Sequence, residues 1–266
     1  MKRKYFYPSA IAVLTIGFWL FNNFYTPASY SDTNQKPVEN NVNDQYMPSA
    51  TYGEIVAHNY FTLSYSEPHE QAEWVAYWLK REHLTYEDRK RPYFIEDPKV
   101  KTKSADWKNY RGSGYDRGHL CPAGDRRFSL QAYNETFYTS NISPQDRAFN
   151  AGIWNRLEQK TRSWCKKYGD LFIVTGGVLE NGLAEIGEED VDVPKMFYKI
   201  ILRKKGDRFT ALAFLMPNKE RKEEFQSFIA PIDKVEQVTG IDFFKSMPKE
   251  TQDQLEANTF VDDWNF

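Results

Sequence analysis

The run Tyr110-Arg-Gly-Ser-Gly-Tyr-Asp-Arg-Gly-His119 constrains this chain more than any other stretch. Ten residues hold an acid (Asp116), two arginines (Arg111, Arg117), an imidazole (His119) and three glycines (Gly112, Gly114, Gly118). Glycine lets a backbone turn sharply or approach a ligand closely. Downstream, Asn141-Ile-Ser-Pro-Gln145 and the stretch to Arg162 add amides, a carboxylate and more arginines. The two pieces read as one phosphodiester-cleaving site.

Such chemistry needs a base for water, charge stabilisation on the phosphorane oxygens and help for the departing oxygen. Histidine takes a proton near neutrality. Magnesium keeps most of its waters, so one amide oxygen with outer-sphere carboxylate support suffices, and arginine forks suit phosphate. His119, Asn150, Glu158, Arg117 and Arg162 fill these roles by residue type. Apolar spacing of Ile153, Trp154, Leu157, Trp164 and Cys165 predicts a helix from Phe149 to about Lys167. Asn150, Glu158 and Arg162 then project from much the same side. An ordinary Glu–Arg pair four residues apart on a solvated face fits that helix equally well. Inventory alone does not establish proximity.

With a formal net charge of −2, any polyanion-binding surface must be local. Between Ala105 and Asp170 eleven Lys/Arg face seven Asp/Glu, a modest basic bias. Two cysteines, Cys121 and Cys165, are too few for a disulfide scaffold, and there is no Cys-x-x-Cys. A bridge between them and a pair of buried thiols both fit.

The basic start Met1–Lys4 and the apolar run to Phe21, extendable to Tyr25, predict an export signal or an uncleaved membrane anchor over residues 1–26. The bulk of the chain then lies outside the cytoplasm, anchored or periplasmic or secreted. Residues 27–50, polar and without apolar periodicity, read as a flexible linker. A folded domain over 51–266 follows. Ile55–Tyr65 reads as one strand, Glu67–Glu70 as a turn and Glu73–Leu79 as the hairpin partner, with a short helix as the competitor. His58, His69 and His83 sit in no ligand-like spacing and read as surface or packing residues. Pro92 and Pro98 predict an extended path. Tyr133–Ser140 reads as strand-like, as do Asp170–Glu180, Pro194–Leu202 and Arg208–Met216, with short helices at Lys222–Phe228 and Ile232–Val238.

Apart from Asn109, which stands where the pattern has Asp, the run from Tyr110 to Leu120 closely resembles the signature of the DNA/RNA non-specific endonucleases. The likeness continues through Cys121-Pro-Ala-Gly-Asp125, Phe137–Gln145 and Phe149–Glu158, and covers nearly the whole domain from Thr51. It implies an α+β fold, a central, mainly antiparallel sheet flanked by helices, with a ββα-metal finger spanning about Gly114 to Lys167. It also implies His119 as general base, Asn150 as direct Mg²⁺ ligand (Mn²⁺ or another divalent ion being an alternative) and Glu158 as holder of metal-bound water. Arg117 and Arg162 would contact the scissile phosphate, Asp116 and Asn141 would position the site, and Arg91 (with Arg89 a weaker match) would bind substrate beside Arg111. The implied partners are DNA and RNA, with a homodimer or an inhibitor protein as further expectations. The implied function is metal-dependent, sugar-nonspecific endonucleolytic cleavage. The alternative is a substrate-restricted or catalytically silent nucleic-acid-binding protein at the cell envelope.

Overall fold

A computed structural model describes residues 3–25, 30, 46–49, 53–206 and 208–266. Helix α1 (Arg3–Phe24) leaves Leu14, Phe18 and Trp19 exposed. Among the described residues no helix is long and apolar enough to cross a membrane. Most of the expected linker, 27–50, lies outside the described residues. The described parts pack onto the domain. Tyr30 donates to the Tyr93 carbonyl at 2.9 Å, Tyr46 is buried against Trp78 and Phe172, and Ser49 bonds Asp242. Folded structure thus begins ahead of Thr51.

In chain order the domain runs β1 (Glu54–Ala57), β2 (Thr62–Ser66), β3 (Gln71–Leu79), β4 (Asp116–His119), α2 (Leu130–Glu135), β5 (Ile142–Gln145), α3 (Arg147–Phe149) and α4 (Asn155–Tyr168). It continues through β6 (Leu171–Gly177), β7 (Ala184–Ile186), β8 (Val191–Val193), β9 (Met196–Lys205), β10 (Arg208–Pro217), β11 (Ile229–Ala230), α5 (Ile232–Thr239) and α6 (Lys249–Ala257). Seven strands form one sheet in the order β1-β2-β3-β6-β9-β10-β11, and every pairing in it is antiparallel. The α+β expectation holds.

Alternation along the strands builds a separate core on each face. From β9, Phe197 and Ile201 join α4's Leu157 and Trp164. Tyr198 and Ile200 point the other way and join Ile232, Val235 and Leu255 of α5 and α6. Each such side chain contributes roughly 1.5–3 kcal/mol on burial, so the two layers fix the helices to opposite faces. A third cluster, including Phe94, Tyr110, Phe137 and Ile142, lies around the β4–β5 ribbon.

Three local expectations are corrected. Ile55–Tyr65 is two strands, β1 and β2, folded on each other with Ala57 opposite Thr62; the β-branched and aromatic run hid the turn at His58–Phe61. Tyr133–Ser140 is the end of α2 and a 3₁₀ turn at Thr139–Asn141. Ser129 caps α2 by accepting from the Ala132 amide, and a cap outweighs the strand preference of the aromatics. The helix expected from Phe149 is interrupted at Asn150–Trp154, a wide turn in which Gly152 (φ −97°, ψ −109°) leaves helical backbone. Both cysteines are free and buried.

Candidate active site

β4 and β5 pair antiparallel, with Asp116 opposite Gln145 and His119 opposite Ile142. Alternation sets Arg117 and His119 on one face and Asp116 and Gly118 on the other. A Cβ on Gly118 would fall 2.2 Å from Gln145 Cδ, so glycine there makes room for the Gln145 side chain across the ribbon. The His119 ring sits 5.6 Å from Phe94 and meets Phe137 edge-on at 4.9 Å. Its Nε2 is buried without a hydrogen-bond partner. Burial, reinforced by the charges of Arg91 and Arg117, lowers its pKa to about 3, so the imidazole is neutral near pH 7. Arg117 lies 4.7 Å over the Phe94 ring and Arg91 5.2 Å over the same ring. Two cations therefore flank the imidazole.

Two buried networks hold this arrangement. The Asn141 side chain accepts from the Cys121 amide at 2.8 Å and donates to the carbonyls of Cys121 (3.0 Å) and Thr136 (2.9 Å). With these bonds made, Asn141 acts by fixing the chain that leaves His119. Asp97, on the segment that carries Arg91 and Phe94, lies 2.7 Å from His58 Nε2 and accepts from Ser140 beside Asn141. His58 is thus a buried packing histidine, and His69 pairs with Asp192. His83 stacks on Phe128.

The second half of the site enters on α3. Asp146 caps it by accepting from the Phe149 amide at 2.9 Å. Asn150 follows, and its Nδ2 donates to Asp116 Oδ2 at 3.2 Å, which leaves its side-chain oxygen as the acceptor for a cation. The wide turn at Gly152 breaks the continuous helical phase on which the shared face of Asn150 and Glu158 depended. Asn150 instead reaches across to β4. Wide turns of this kind frequently occur at functional sites.

Glu158, in the first turn of α4, is pushed up to about 7 by burial and further by Asp125, against the opposing pull of Lys199 and Arg162. Arg162 donates to Asp125 Oδ1 at 2.8 Å, and Asp125 Oδ2 accepts from Tyr77 at 3.1 Å. Asp125 raises the Arg162 pKa against the effect of burial, so the guanidinium is held charged and in place.

Sequence reasoning did not single out Asp125 or Lys199. Lys199 is buried in β9, its Nζ without a hydrogen-bond partner and 4.8 Å over the Trp154 ring. Its charge acts on Glu158 and Asp125. A lysine inside the apolar run Met196–Leu202 was the available signal, since buried lysines are rare.

Two expected substrate-binding arginines lie apart from the imidazole. Arg89 is tied to Glu87 and to the Arg127 carbonyl. Arg111 is exposed on a cavity of about 680 Å³ whose far wall is the acidic Glu185–Glu189 segment. The structure brings Arg91, rather than Arg89, to His119.

Two donors on the segment that follows β5 suit a hard divalent cation. They are an amide oxygen on Asn150 and a carboxyl on Glu158 whose ionised form burial disfavours and a cation would restore. No thiolate takes part, since burial pushes the Cys121 thiol up to about 12.

Comparison with known proteins agrees. A family model described as DNA/RNA non-specific endonuclease matches residues 39–250. The mitochondrial nuclease EXOG of Danio rerio is 36% identical over 210 residues, covering 73% of this chain and 61% of its own. Nuclease C1 of Cunninghamella echinulata is 32% identical over 237 residues, 81% of this chain and 92% of its own. The chain thus spans about three fifths of the length of EXOG. A crystal structure described as the EndoG/EndoGI complex, on the mechanism of EndoG inhibition, superposes with a TM-score of 0.70 at 30% identity, over 76% of this chain and 90% of that one. With the ribbon, the broken helix and every site residue inside the matched range, the chain belongs to the DNA/RNA non-specific endonuclease family.

Proposed function

We propose that the protein is a divalent-metal-dependent endonuclease that hydrolyses phosphodiester bonds of DNA and RNA with little base preference. One observation carries this reading: an unpartnered, neutral His119 Nε2 flanked by two arginines, on a strand whose Asp116 is bonded by Asn150. His119 accepts the proton of the attacking water at Nε2. Arg91 and Arg117 bind the phosphate, and its negative charge between them offsets the repulsion that they add to the larger effect of burial on the imidazole. The proton affinity of His119 therefore rises as substrate arrives. Arg162, locked by Asp125, supplies a fixed positive charge on the helix side. Asn150 would hold an Mg²⁺-type ion directly and Glu158 through water, and the ion would neutralise charge on the non-bridging and leaving oxygens. Phosphate contacts carry no base information, which suits a site of arginines and metal. EndoG is inhibited in its complex with EndoGI, and we extend to this site the same vulnerability to a covering inhibitor protein. The basic start and the exposed apolar side of α1 support export from the cytoplasm.

The test is plasmid and RNA digestion by the purified full chain, with Mg²⁺ and with chelator, beside His119→Ala and Asn150→Ala. Cleavage that needs the ion and falls by about 10³-fold in His119→Ala is expected. Undiminished cleavage by His119→Ala refutes the mechanism. Nucleic-acid binding without cleavage under any divalent ion would establish the silent-binder alternative.

A further inference from the structure

On the sheet face opposite α4, helices α5 and α6 meet in a group of carboxylates that the nuclease reading leaves unused. Asp233 and Glu236 come from α5 and Glu256 from α6, each offering an oxygen within 4.8 Å of the others. Glu256 is only 4% exposed, and its Oε1 is buried without a hydrogen-bond partner. Gln252 is the side-chain donor that acts on the Glu256 carboxyl, and it leaves Oε1 unbonded. Gln252, one turn before Glu256, gives its amide hydrogens to Asp242 (3.0 Å) and the Phe243 carbonyl (3.3 Å). Asp242 adds a fourth negative charge acting on Glu256. The cation that acts on this group, Lys249, is engaged by Asp253 at 2.7 Å. Burial and then the charge of Glu236 push the Glu256 carboxyl up to about 8, so it keeps its proton near pH 7 unless a positive partner enters.

We propose that Asp233, Glu236 and Glu256 bind a structural calcium ion that pins α5 to α6, at a site separate from the catalytic one. The chemistry selects the ion. All three donors are carboxylate oxygens, without the imidazole or thiolate that zinc would favour. Three carboxylates carried by two separate helices suit the larger sphere of Ca²⁺, which tolerates six to eight oxygens in flexible geometry where Mg²⁺ demands a near-ideal octahedron. The exposed Asp233 gives the ion its entry path. Glu236 already accepts from the Phe243 amide at 2.7 Å, so an ion here would also fix the loop that delivers Phe243 and Phe244 to the core.

The experiment is thermal unfolding of the full chain carrying Asn150→Ala, which removes the direct ligand of the catalytic site, over Ca²⁺ from zero to ~10 mM, above the ~1 mM dissociation constants of weak protein calcium sites. A parallel series carries Glu236→Gln and Glu256→Gln as well. Saturating Ca²⁺ is expected to raise Tm by about 4 °C in the parent and to leave the double glutamine chain unmoved, with Mg²⁺ giving a smaller rise. Should the double glutamine chain fail to fold, Asp233→Asn, at an exposed position, is expected to weaken the same shift and calorimetric titration to count one fewer Ca²⁺. An equal Ca²⁺ shift with and without the carboxylates, or none at the highest concentration, overturns the proposal.

Discussion

The strand half of the active site and the helix half are both desolvated, and the same force leaves them in opposite states of readiness. On β4, burial strips the proton from His119 and holds it neutral down to about pH 3, the form a general base needs. On α4, burial keeps a proton on Glu158 up to about pH 7, the form that cannot hold a cation's water. The strand half is preorganised by its own packing: two phenylalanine rings, two arginines and the Asn141 clamp. The helix half, in the proposed mechanism, is completed by the cation it would hold. That division explains why Lys199 is buried beneath α4 and not beneath the ribbon, since its charge favours the Glu158 carboxylate.

The sharpest way to break this comparison is Glu158→Gln, for which we expect the largest effect after His119→Ala. Losing a residue that holds a metal's water costs activity or metal affinity about 100-fold. Metal-free stability should move the other way. A carboxyl raised to about 7 in the folded chain binds its proton more tightly there than when unfolded, so stability falls as pH rises from about 4.5 to about 7. Glutamine removes that loss, so the metal-free variant should unfold at a higher Tm than wild type at pH 8. His119 runs in the reverse direction, since its contribution is present above 6.5 and lost as pH falls towards about 3. A variant that cleaves normally, or that melts below wild type without metal, would show that Glu158 is a packing residue and that the two halves do not differ as described.

The strand half was also the more legible in the sequence. A glycine-rich run with one acid, two arginines and one histidine has few uses, and β4 carries Arg117 and His119 on one face as alternation requires. The sheet strands β3, β6, β9 and β10 were readable because long β-branched and aromatic runs are bounded by turns. The helix half resisted. Glycine in Phe149-Asn-Ala-Gly-Ile looks like a tolerated helix residue, and nothing local announces that its ψ of −109° will turn Asn150 towards Asp116. Asp125 was invisible because its role is tertiary, joining Tyr77 of β3 to Arg162 of α4 across distant stretches of chain. Likewise α2 was lost to its aromatics, which serve the cluster around the ribbon and not a strand.

Asp125→Asn probes that tertiary link and should have an intermediate effect. The Asp125 side chain is 3% exposed and Arg162's 23%, so removing the charge leaves a largely desolvated guanidinium without its counterion. Breaking such a pair from one side costs about 3 kcal/mol, measurable as a lower urea midpoint. Cleavage should fall as well, because Arg162 loses its fixed orientation while His119 keeps its surroundings. If stability drops and the cleavage rate per folded molecule does not, Arg162 serves the fold alone and the helix half shrinks to Asn150 and Glu158.

The smallest effect should come from Arg147→Ala, which separates the two contacts that join the halves through Asp116. Arg147 Nε lies 3.4 Å from Asp116 Oδ1, but its side chain is 84% exposed, so water and salt screen the pair. Asn150 reaches the other oxygen at 3.2 Å from a half-buried position. Only the second contact orients a proposed metal ligand, so Arg147→Ala should change neither Tm nor cleavage by more than a marginal amount, within about twofold for the rate. The informative control is ionic strength. If the variant loses tenfold or more at low salt and the loss fades as salt is raised, Arg147 contacts a substrate phosphate directly. The helix half would then contribute to substrate capture before any cation completes it, and the contrast between a ready strand half and a waiting helix half would hold for catalysis but not for binding.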